Sequence, residues 1–503
     1  MAHGLIFVAA LVAPFLLMGC GDAPARTPDS ADGDADASGG ASDASGADAD
    51  GTLGALDADA PVGPDAGPCD RAEALCAPGS VPCTDLAASY VGGTATCRSD
   101  CRSFDVSGCA LAATPVGETV KPALRDPRWS GALCSRSGEY RFTVVLTGSP
   151  RWILSVEGGG LCGPTNFSPC FARNDRLVRD VEDRDGALVR SVDRELRAAA
   201  LPAPTEVPAL FQDANFVRME YCSNDVWSGT RVLPVGMPAA EAGGAPLPFT
   251  FTGRLNFAAT LEILQQRFGL DDADPEQQVF FSGVSAGGGG LLNNADLVVA
   301  ALPQRLAAGK LHALSVASVL TSGWASADAQ ADGDWSLWDT VAGVHLGEYL
   351  DTHLAAYTDA WQARFNPRCE AAHPDAPGRC LFARVAVPFI VDPAGLDLPL
   401  IIAQNRSDPL FQRFHGITTA SGGAFAFAPG GAQASAAWSE HMTAELAGIP
   451  WLYAPSHELG FHGISLRALP EDAGVPRLRA VVSAFVTEAD PAPFAWVFGR
   501  FEE

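Results

Sequence analysis

Residues 278–290, Q-V-F-F-S-G-V-S-A-G-G-G-G, are the stretch that decides the fold of this 503-residue chain. An apolar run typical of a strand comes first, a G-x-S-x-G turn follows, and a Gly-rich segment leads into a predicted helix. This is the arrangement of a nucleophile elbow, a turn so tight that the residues around the serine must be small. Ser285 is therefore the candidate nucleophile. The alternative interpretation is a Gly-rich packing turn, because G-x-S-x-G also occurs by chance.

Elsewhere in the chain, short apolar runs bounded by Gly, Pro or Asp alternate with helical patterns. This alternation predicts an α/β fold with a mostly parallel sheet covered by helices on both faces. The predicted strands are 141–147, 152–157, 215–222, 278–283, 313–320, 398–404 and 450–454. The predicted helices are 255–268, 295–307, 344–364, 436–447 and 478–488. The Gly-, Pro- and Ala-rich stretch 229–248 is predicted to be a loop.

A serine hydroxyl is a weak nucleophile and needs a base that is oriented by an acid. In this sheet architecture the three follow in the order serine, acid, histidine. Asp408 lies on a polar loop directly after an apolar strand and is the candidate acid, although it could instead stabilise the turn before Pro409. His457 follows the last predicted strand and is the candidate base. Its rival is His462, which position alone does not exclude.

Acyl transfer passes through an oxyanion, which needs backbone N–H donors. One donor is expected from the backbone N–H of Ala286, directly after the nucleophile. The other is expected from a Gly-rich loop that follows an early strand, at Gly159 and Gly160. Residues 158–163 also match G-x-G-x-x-G, but Pro164 opposes the helix that a dinucleotide-binding motif needs there. The H-E-x-x-H and P-loop patterns are absent from the sequence, so neither a metal nor a cofactor is predicted.

Composition and charge exclude several classes of protein. With 47% hydrophobic and 18% charged residues, the chain can bury a large core and is not wholly disordered. The net charge of −26 opposes nucleic-acid binding, because phosphates would be repelled. Part of this charge lies in residues 20–68, which are rich in Ala, Asp, Gly and Ser and lack aromatic residues. This segment is predicted to be a disordered linker.

The N-terminal residues indicate export. Residues 1–19 have the length and apolarity of a signal peptide. Residues 17–20, L-M-G-C, are similar to a bacterial lipobox and predict lipid attachment at Cys20. An ordinary cleaved signal is the alternative. The predicted location is the bacterial cell envelope or the medium, with membrane contact only through the N-terminal lipid.

The cysteines agree with an oxidising compartment. Thirteen occur in the chain, and without Cys20 the remaining twelve divide into six within residues 69–110 and six in the rest. An even number in an exported chain predicts disulfides. Zinc is the alternative for the first group. We therefore expect a small disulfide-rich module at 69–110, followed by a catalytic domain at 112–503.

Four motifs occur in order along the catalytic domain. They are E-G-G-G-L-C at 157–162, Y-C-S-N-D-V-W-S-G at 221–229, G-V-S-A-G-G at 283–288 and P-S-H-E at 455–458. Together they resemble the pectin acetylesterase family, which includes the Notum carboxylesterases, over about residues 115–490. The resemblance implies an α/β-hydrolase fold and the hydrolysis of carboxylic esters.

The resemblance also implies individual roles. The family's nucleophile falls on Ser285, its acid on Asp408 and its base on His457 rather than His462, while its oxyanion loop falls on residues 159–160. The implied disulfides are Cys162–Cys170, Cys369–Cys380 and, from the two cysteines that remain, Cys134–Cys222. Leu161 stands near a position where the family usually has an aromatic residue, so the shape of the substrate pocket does not carry over.

The sequence thus predicts an extracytoplasmic serine carboxylesterase that acts through an acyl-enzyme on carboxylic esters, foremost O-acetyl groups of a polysaccharide. It predicts no nucleic-acid partner and no particular oligomeric state. Two alternatives stay open. One is a catalytically inactive surface lipoprotein that uses the hydrolase fold as a binding scaffold. The other keeps the triad and cleaves a peptide or polyester bond.

Overall fold

The computed structural model describes residues 76–163, 213–237, 247–320 and 340–454, together with residues 482, 485 and 486. Positions left out within these ranges are 100, 102, 114–116, 137, 342–343, 416, 422–423, 428–430, 448 and 450–451. The predicted signal peptide and linker, and the residues Cys20, Cys170, His457 and His462, lie outside the described residues.

A small disulfide-linked module comes first. Its four short antiparallel strands are β1 (Ser80–Pro82), β2 (Tyr90–Cys97), β3 (Phe104–Asp105) and β4 (Cys109–Leu111). The disulfides Cys76–Cys97 and Cys83–Cys109 cross it. These four sulfurs therefore hold no zinc, and the zinc alternative is wrong for them.

The module packs against the main domain. The Arg98 guanidinium lies 2.5 Å from the Asp271 carboxylate. The backbone N–H of Ala88 donates a hydrogen bond of 2.7 Å to the Glu118 carboxylate. Tyr90 is buried in the same apolar cluster that forms the core of the main domain. The module is too short to form a large core of its own, and its contact with the main domain buries additional apolar surface.

The main domain is organised by an eight-stranded sheet. Its strands are β5 (Gly117–Val120), β6 (Phe142–Val145), β7 (Arg151–Val156), β8 (Asn215–Met219), β11 (Gln278–Val284), β12 (Leu311–Val316), β15 (Leu400–Ala403) and β18 (Leu452–Tyr453). The spatial order is β18-β15-β12-β11-β7-β8-β6-β5. Only β6 runs against its neighbours β5 and β8, whereas the other pairings are parallel. The predicted, mostly parallel sheet is confirmed.

Burial explains why these segments form strands. Every residue of β6, β12 and β15 is buried. Their sequences F-T-V-V, L-H-A-L-S-V and L-I-I-A are nearly continuous apolar runs, as expected for strands covered on both faces.

Helices cover the sheet. They are α1 (Pro122–Arg125), α2 (Gly253–Ile263), α3 (Ala286–Asn293), α4 (Ala295–Ala301), α5 (Pro303–Ala307), α6 (Leu346–Trp361), α7 (Pro367–Ala372), α8 (Ala383–Val391), α9 (Pro409–Phe414) and α10 (Gly431–Leu446). Helix α3 is buried along its whole length and packs on β11 and β12. A five-residue π-helical segment, Leu264–Phe268, continues α2. No helix in the described part of the chain is long and apolar enough to cross a membrane.

Some sequence-based assignments differ from the structure. The stretch 229–248, predicted to be a loop, contains strand β9 (Arg231–Met237) and the start of β10 (Leu247–Phe251), which pair antiparallel. Burial of Phe249 and Phe251 outweighs the Gly- and Pro-rich composition there. The predicted helix 295–307 is two helices, because Pro303 lacks the N–H that would continue the first.

The remaining differences concern segment ends. The predicted helix 344–364 begins with a two-residue strand, β14 (Val344–His345), which pairs with β13 (Thr340–Val341). A second hairpin, β16 (Thr418–Ser421) and β17 (Ala424–Phe427), lies between α9 and α10. Of the predicted helix 478–488, only residues 482, 485 and 486 are described, and they are helical.

Candidate active site

Ser285 sits at the turn between β11 and α3, as the elbow motif predicts. Its backbone has φ 56° and ψ −127°, a conformation that costs a residue with a side chain about 1–3 kcal/mol. Its N–H donates to the carbonyl oxygen of Val316 at 2.9 Å, and its own carbonyl accepts from Gly289 at 3.0 Å. The surrounding structure therefore holds a strained serine at the start of a helix.

Small residues are required around this turn. A Cβ on Gly283 would lie 2.7 Å from the carbonyl carbon of Gly287, and a Cβ on Gly287 would lie at the same distance from that of Glu157. Both values are shorter than any ordinary carbon contact. The two glycines of G-x-S-x-G thus allow the helix to start directly against the end of β7.

The Gly-rich loop after β7 lies against the elbow. A Cβ on Gly158 would lie 3.0 Å from the Cβ of Ser285 and 2.9 Å from the backbone nitrogen of Ala286. The next residues, Gly159 and Gly160, continue this loop, and Gly160 has φ +87°. The structure thus brings the predicted oxyanion loop beside the predicted nucleophile.

The sheet register aligns the strands that precede the three candidate triad residues. Val284 pairs with Val316, Val316 with Ala403, and Ala403 with Tyr453, so these residues form one row across four parallel strands. The carboxyl ends of β11, β15 and β18 therefore share one edge of the sheet. Ser285 and Asp408 follow β11 and β15 at this edge. Strand β18 ends at the same edge, and His457, which follows it in the sequence, is outside the described residues.

Asp408 is fully buried. Its Oδ1 accepts hydrogen bonds from the backbone N–H groups of Leu410 at 3.0 Å and Phe411 at 3.3 Å, which caps α9. The turn-stabilising role considered for this residue is therefore real. It does not exclude a catalytic role, because a carboxylate has two oxygens and capping uses one.

A second loop, residues 221–229, supports the site, and it is the feature whose role the sequence did not disclose. Asn224, Val226 and Trp227 have φ values of 57°, 53° and 58°. The fully buried Asp225 carboxylate accepts hydrogen bonds from the Ser223 hydroxyl at 2.6 Å and from the N–H of Trp227 at 3.0 Å. Burial raises the pKa of Asp225, and these hydrogen bonds oppose the rise. The carboxylate is thus a structural centre that keeps the loop folded.

This loop holds the Gly-rich loop at three points. The Trp227 indole N–H donates to the carbonyl oxygen of Glu157 at 2.9 Å. The Tyr221 hydroxyl donates to the carbonyl oxygen of Gly160 at 2.7 Å. The N–H of Cys162 donates to the carbonyl oxygen of Asn224 at 2.8 Å. The only signal of this role in the sequence was the length and specificity of the Y-C-S-N-D-V-W-S-G string.

Both loops contain a disulfide-bonded cysteine, and an ion pair holds the start of the Gly-rich loop. Two of the disulfides implied by the resemblance are present, Cys134–Cys222 and Cys369–Cys380. Cys162 is disulfide-bonded as well, and its expected partner Cys170 is not among the described residues. Arg218 forms an ion pair with Glu157, the residue that begins the Gly-rich loop.

Among the described residues, no group of three or more His, Cys, Asp or Glu could hold a metal ion.

Leu161 is buried and forms a backbone bridge with Asp225. The residue that stands near the family's usual aromatic thus packs into the supporting loop.

His312, another histidine downstream of the nucleophile, lies on β12 within the core, and burial lowers its pKa to about 4. It is a packing residue of the sheet.

The match to a family of known proteins decides the identity of the main domain. Residues 121–396, more than half of the chain, match the family model described as Pectinacetylesterase. The chain belongs to the pectinacetylesterase family. This is a family of carboxylic ester hydrolases, and the predicted family is confirmed.

Curated relatives of this pectinacetylesterase domain carry a consistent name. Palmitoleoyl-protein carboxylesterase NOTUM of Homo sapiens is 32% identical over 177 residues, which is 35% of this chain and 31% of the human protein. The Mus musculus protein of the same name is 31% identical over 230 residues, covering 44% of this chain and 38% of the mouse protein. The chain spans about a third of the length of these relatives.

One solved structure supports the fold of the pectinacetylesterase domain. The Wnt deacylase Notum from Drosophila superposes with a TM-score of 0.50 and 18% sequence identity, covering 71% of this chain and 89% of that chain. At this identity the likeness concerns the fold alone, and the predicted α/β-hydrolase fold is confirmed.

Proposed function

We propose that this chain is a serine carboxylesterase in which Ser285, His457 and Asp408 form the catalytic triad. The observation that carries the proposal is the backbone of Ser285, held at φ 56° at the start of α3 with the Gly-rich loop directly beside it. A folded protein keeps a strained conformation only where its surroundings enforce it, and such positions concentrate at active sites. Membership of a family of ester hydrolases agrees with this assignment.

The proposed reaction has two halves. In the first, His457 accepts the hydroxyl proton of Ser285 while the serine oxygen attacks the ester carbonyl carbon. The backbone N–H groups of Gly159, Gly160 and Ala286 donate to the oxyanion that forms. The carbon–oxygen bond to the alcohol then breaks, and the alcohol leaves with the proton from His457. The Ser285 acyl ester remains.

In the second half, water takes the place of the alcohol. His457 accepts a proton from the water molecule while the water oxygen attacks the acyl carbon. His457 then donates this proton to the Ser285 oxygen as the bond between that oxygen and the acyl carbon breaks, and the carboxylic acid is released. Asp408 orients the imidazole and stabilises its positively charged form in both halves. The P-S-H-E motif at 455–458, which resembles the histidine motif of the family, supports the choice of His457 over His462.

The proposed substrates are O-acetyl esters on a polysaccharide. The description of the matching family model supports this choice, since pectin is a polysaccharide and its acetyl groups are esters. Rates of acetate release from acetylated pectin and acetylated xylan, compared with rates on p-nitrophenyl acetate, butyrate and longer acyl esters, test it. A marked preference for long acyl chains would contradict it.

The proposed location is outside the cytoplasm, with a lipid at Cys20. The disulfides Cys76–Cys97, Cys83–Cys109, Cys134–Cys222 and Cys369–Cys380 support an oxidising compartment. Incorporation of labelled palmitate into the wild-type protein but not into Cys20→Ser tests the lipid. Equal labelling of both proteins, or of neither, would contradict the anchor and leave the enzymatic proposal untouched.

A fluorophosphonate probe tests the enzymatic proposal, because it modifies only an activated serine. The wild-type protein should be labelled at Ser285 and should hydrolyse p-nitrophenyl acetate. Ser285→Ala should lose both properties, with a loss in kcat on the order of 10⁶ for a cooperative triad. Unchanged hydrolysis by Ser285→Ala would overturn the proposal, and a wild-type protein without labelling or hydrolysis would favour the binding-scaffold alternative.

A further inference from the structure

The Tyr221 hydroxyl connects the supporting loop to the Gly-rich loop. It accepts a hydrogen bond from the backbone N–H of Val226 at 2.8 Å and donates one to the carbonyl oxygen of Gly160 at 2.7 Å. The side chain is 1% exposed, so water does not compete for these bonds. One buried hydroxyl thus orients the peptide group that directly follows the proposed oxyanion donors.

The opposite end of the donor segment is also held. The carbonyl oxygen of Glu157 accepts from the Trp227 indole at 2.9 Å. The glycines between these two points, residues 158–160, have no side chains with which to fix their own backbone, and Gly160 adopts φ +87°. The orientation of their N–H groups therefore depends on packing against the neighbouring backbone and on the bonds at the two ends.

The supporting loop is tied to the nucleophile's helix as well. The Asn293 side-chain amide donates to the carbonyl oxygen of Val226 at 2.8 Å, and the Asn294 amide donates to that of Trp227 at 2.8 Å. Asn293 ends α3, the helix that begins next to Ser285. The same loop therefore contacts both structures that supply the proposed donors, Ala286 on α3 and Gly159 and Gly160 on the Gly-rich loop.

We propose that Tyr221 is a positioning residue of the oxyanion hole, which aligns the N–H groups of Gly159 and Gly160 with that of Ala286 through its hydrogen bond to the Gly160 carbonyl. The proposal rests on the ester hydrolysis proposed above. Tyr221 is not proposed to touch the substrate. It acts by keeping a flexible glycine segment in the geometry that the transition state needs, so its loss should affect kcat and leave KM unchanged.

The first variant is Tyr221→Phe, which removes the hydroxyl and keeps the ring. We expect kcat on p-nitrophenyl acetate to fall about 10- to 100-fold with KM unchanged, less than the loss of a donor itself, which is about 10²- to 10³-fold. All rates are expressed per active serine, counted by fluorophosphonate labelling, so that an unfolded fraction does not enter kcat.

Tyr140→Phe is the matched control. Tyr140 is also fully buried and its ring also contacts Trp227, but its hydroxyl bonds to Thr260 and not to the Gly-rich loop. We expect a similar loss of thermal stability and an unchanged kcat per active serine. An equal fall in kcat for both variants would mean that any lost buried hydroxyl disturbs the enzyme, and this would overturn the proposal.

The affinity for a trifluoromethyl ketone distinguishes a positioning role of Tyr221 from a purely structural one, because loss of a structural residue would leave this affinity unchanged in the folded protein. The serine adduct of the ketone places an oxyanion in the hole, so Tyr221→Phe should weaken its binding by the same factor as it lowers kcat. Replacement of Tyr221 by 4-aminophenylalanine, which restores an N–H donor toward Gly160, should recover most of both losses. A wild-type affinity for the ketone in Tyr221→Phe, or no recovery with 4-aminophenylalanine, would contradict the proposal.

Failure of this proposal and failure of the proposed function are distinguishable. If the wild-type protein is labelled at Ser285 and Tyr221→Phe keeps the wild-type kcat per active serine, only the role of Tyr221 is refuted. If the wild-type protein is neither labelled nor active, the ester hydrolysis itself is refuted, and the role of Tyr221 with it.

Discussion

Gly287 packs against the end of β7 so closely that a Cβ on it would overlap the carbonyl oxygen of Val156. The nucleophile's helix and the strand that leads into the Gly-rich loop are therefore in backbone contact. This contact sets the distance between Ser285 and the proposed oxyanion donors, and it requires that residue 287 has no side chain.

Gly287→Ala should therefore damage both stability and activity. Overpacking of this kind costs about 1–3 kcal/mol, and the relief of the clash should move α3 away from β7. We expect a lower denaturation midpoint together with a fall in kcat per active serine. Gly92→Ala is the control, because a Cβ at Gly92 meets nothing within 4 Å. A Gly287→Ala protein with wild-type kcat and midpoint would show that the packing is not required.

Asp408→Asn separates helix capping from catalysis. Asparagine is as good an N-cap as aspartate, so the cap of α9 should survive and stability should change little. A neutral amide cannot stabilise the positively charged imidazole, so kcat should fall about 10⁴-fold, by analogy with serine proteases. Urea unfolding and steady-state kinetics measure the two effects. A small change in stability together with an unchanged kcat would assign Asp408 to capping alone.

The two C-terminal histidines form a matched pair. His457→Gln should abolish turnover, because no other group accepts the serine proton, whereas His462→Gln should retain activity within a few-fold. Esterase assays with both variants, each normalised to folded protein, decide between them. The reverse pattern would move the base to His462 and leave the other site assignments in place.

His312 should make stability depend on pH. Its folded pKa of about 4 lies below the ordinary value of 6.5, so the unfolded chain binds a proton first as pH falls. The free energy of unfolding is therefore unaffected by the titration of His312 above about pH 6.5. It decreases as the pH falls from 6.5 toward 4, by an amount on the order of 3 kcal/mol. His312→Leu should lack this part of the pH dependence in urea unfolding between pH 4 and pH 7. Parallel curves for both proteins would contradict it.

The elbow and the sheet were predictable because their signals are local. The apolar run before Ser285 and the glycines around it mark strand and turn within a dozen residues, and the continuous apolar runs of β12 and β15 mark strands buried on both faces. Strand β9 and the start of β10, which lie in 229–248, were not predictable in this way. Their pairing depends on burial of Phe249 and Phe251 against distant parts of the chain.

The supporting loop was recognisable as a motif but its role was not. Positive φ values at Val226 and Trp227 have no sequence signal, since neither residue favours that conformation. The sequence did not show the role of the buried Asp225, and only its hydrogen bonds to the Ser223 hydroxyl and to backbone N–H groups show that it holds the loop together. Contacts between segments distant in sequence decide such roles.

The most direct test of Ser285 as the nucleophile is to trap the covalent acyl-enzyme. Wild-type protein quenched with acid during turnover of p-nitrophenyl acetate is digested, and its peptides are analysed by mass spectrometry. We predict one added acetyl group on the peptide that contains Ser285, absent from Ser285→Ala treated in the same way. An acetyl group on a different residue, or hydrolysis of the ester at the wild-type rate by Ser285→Ala, would contradict it.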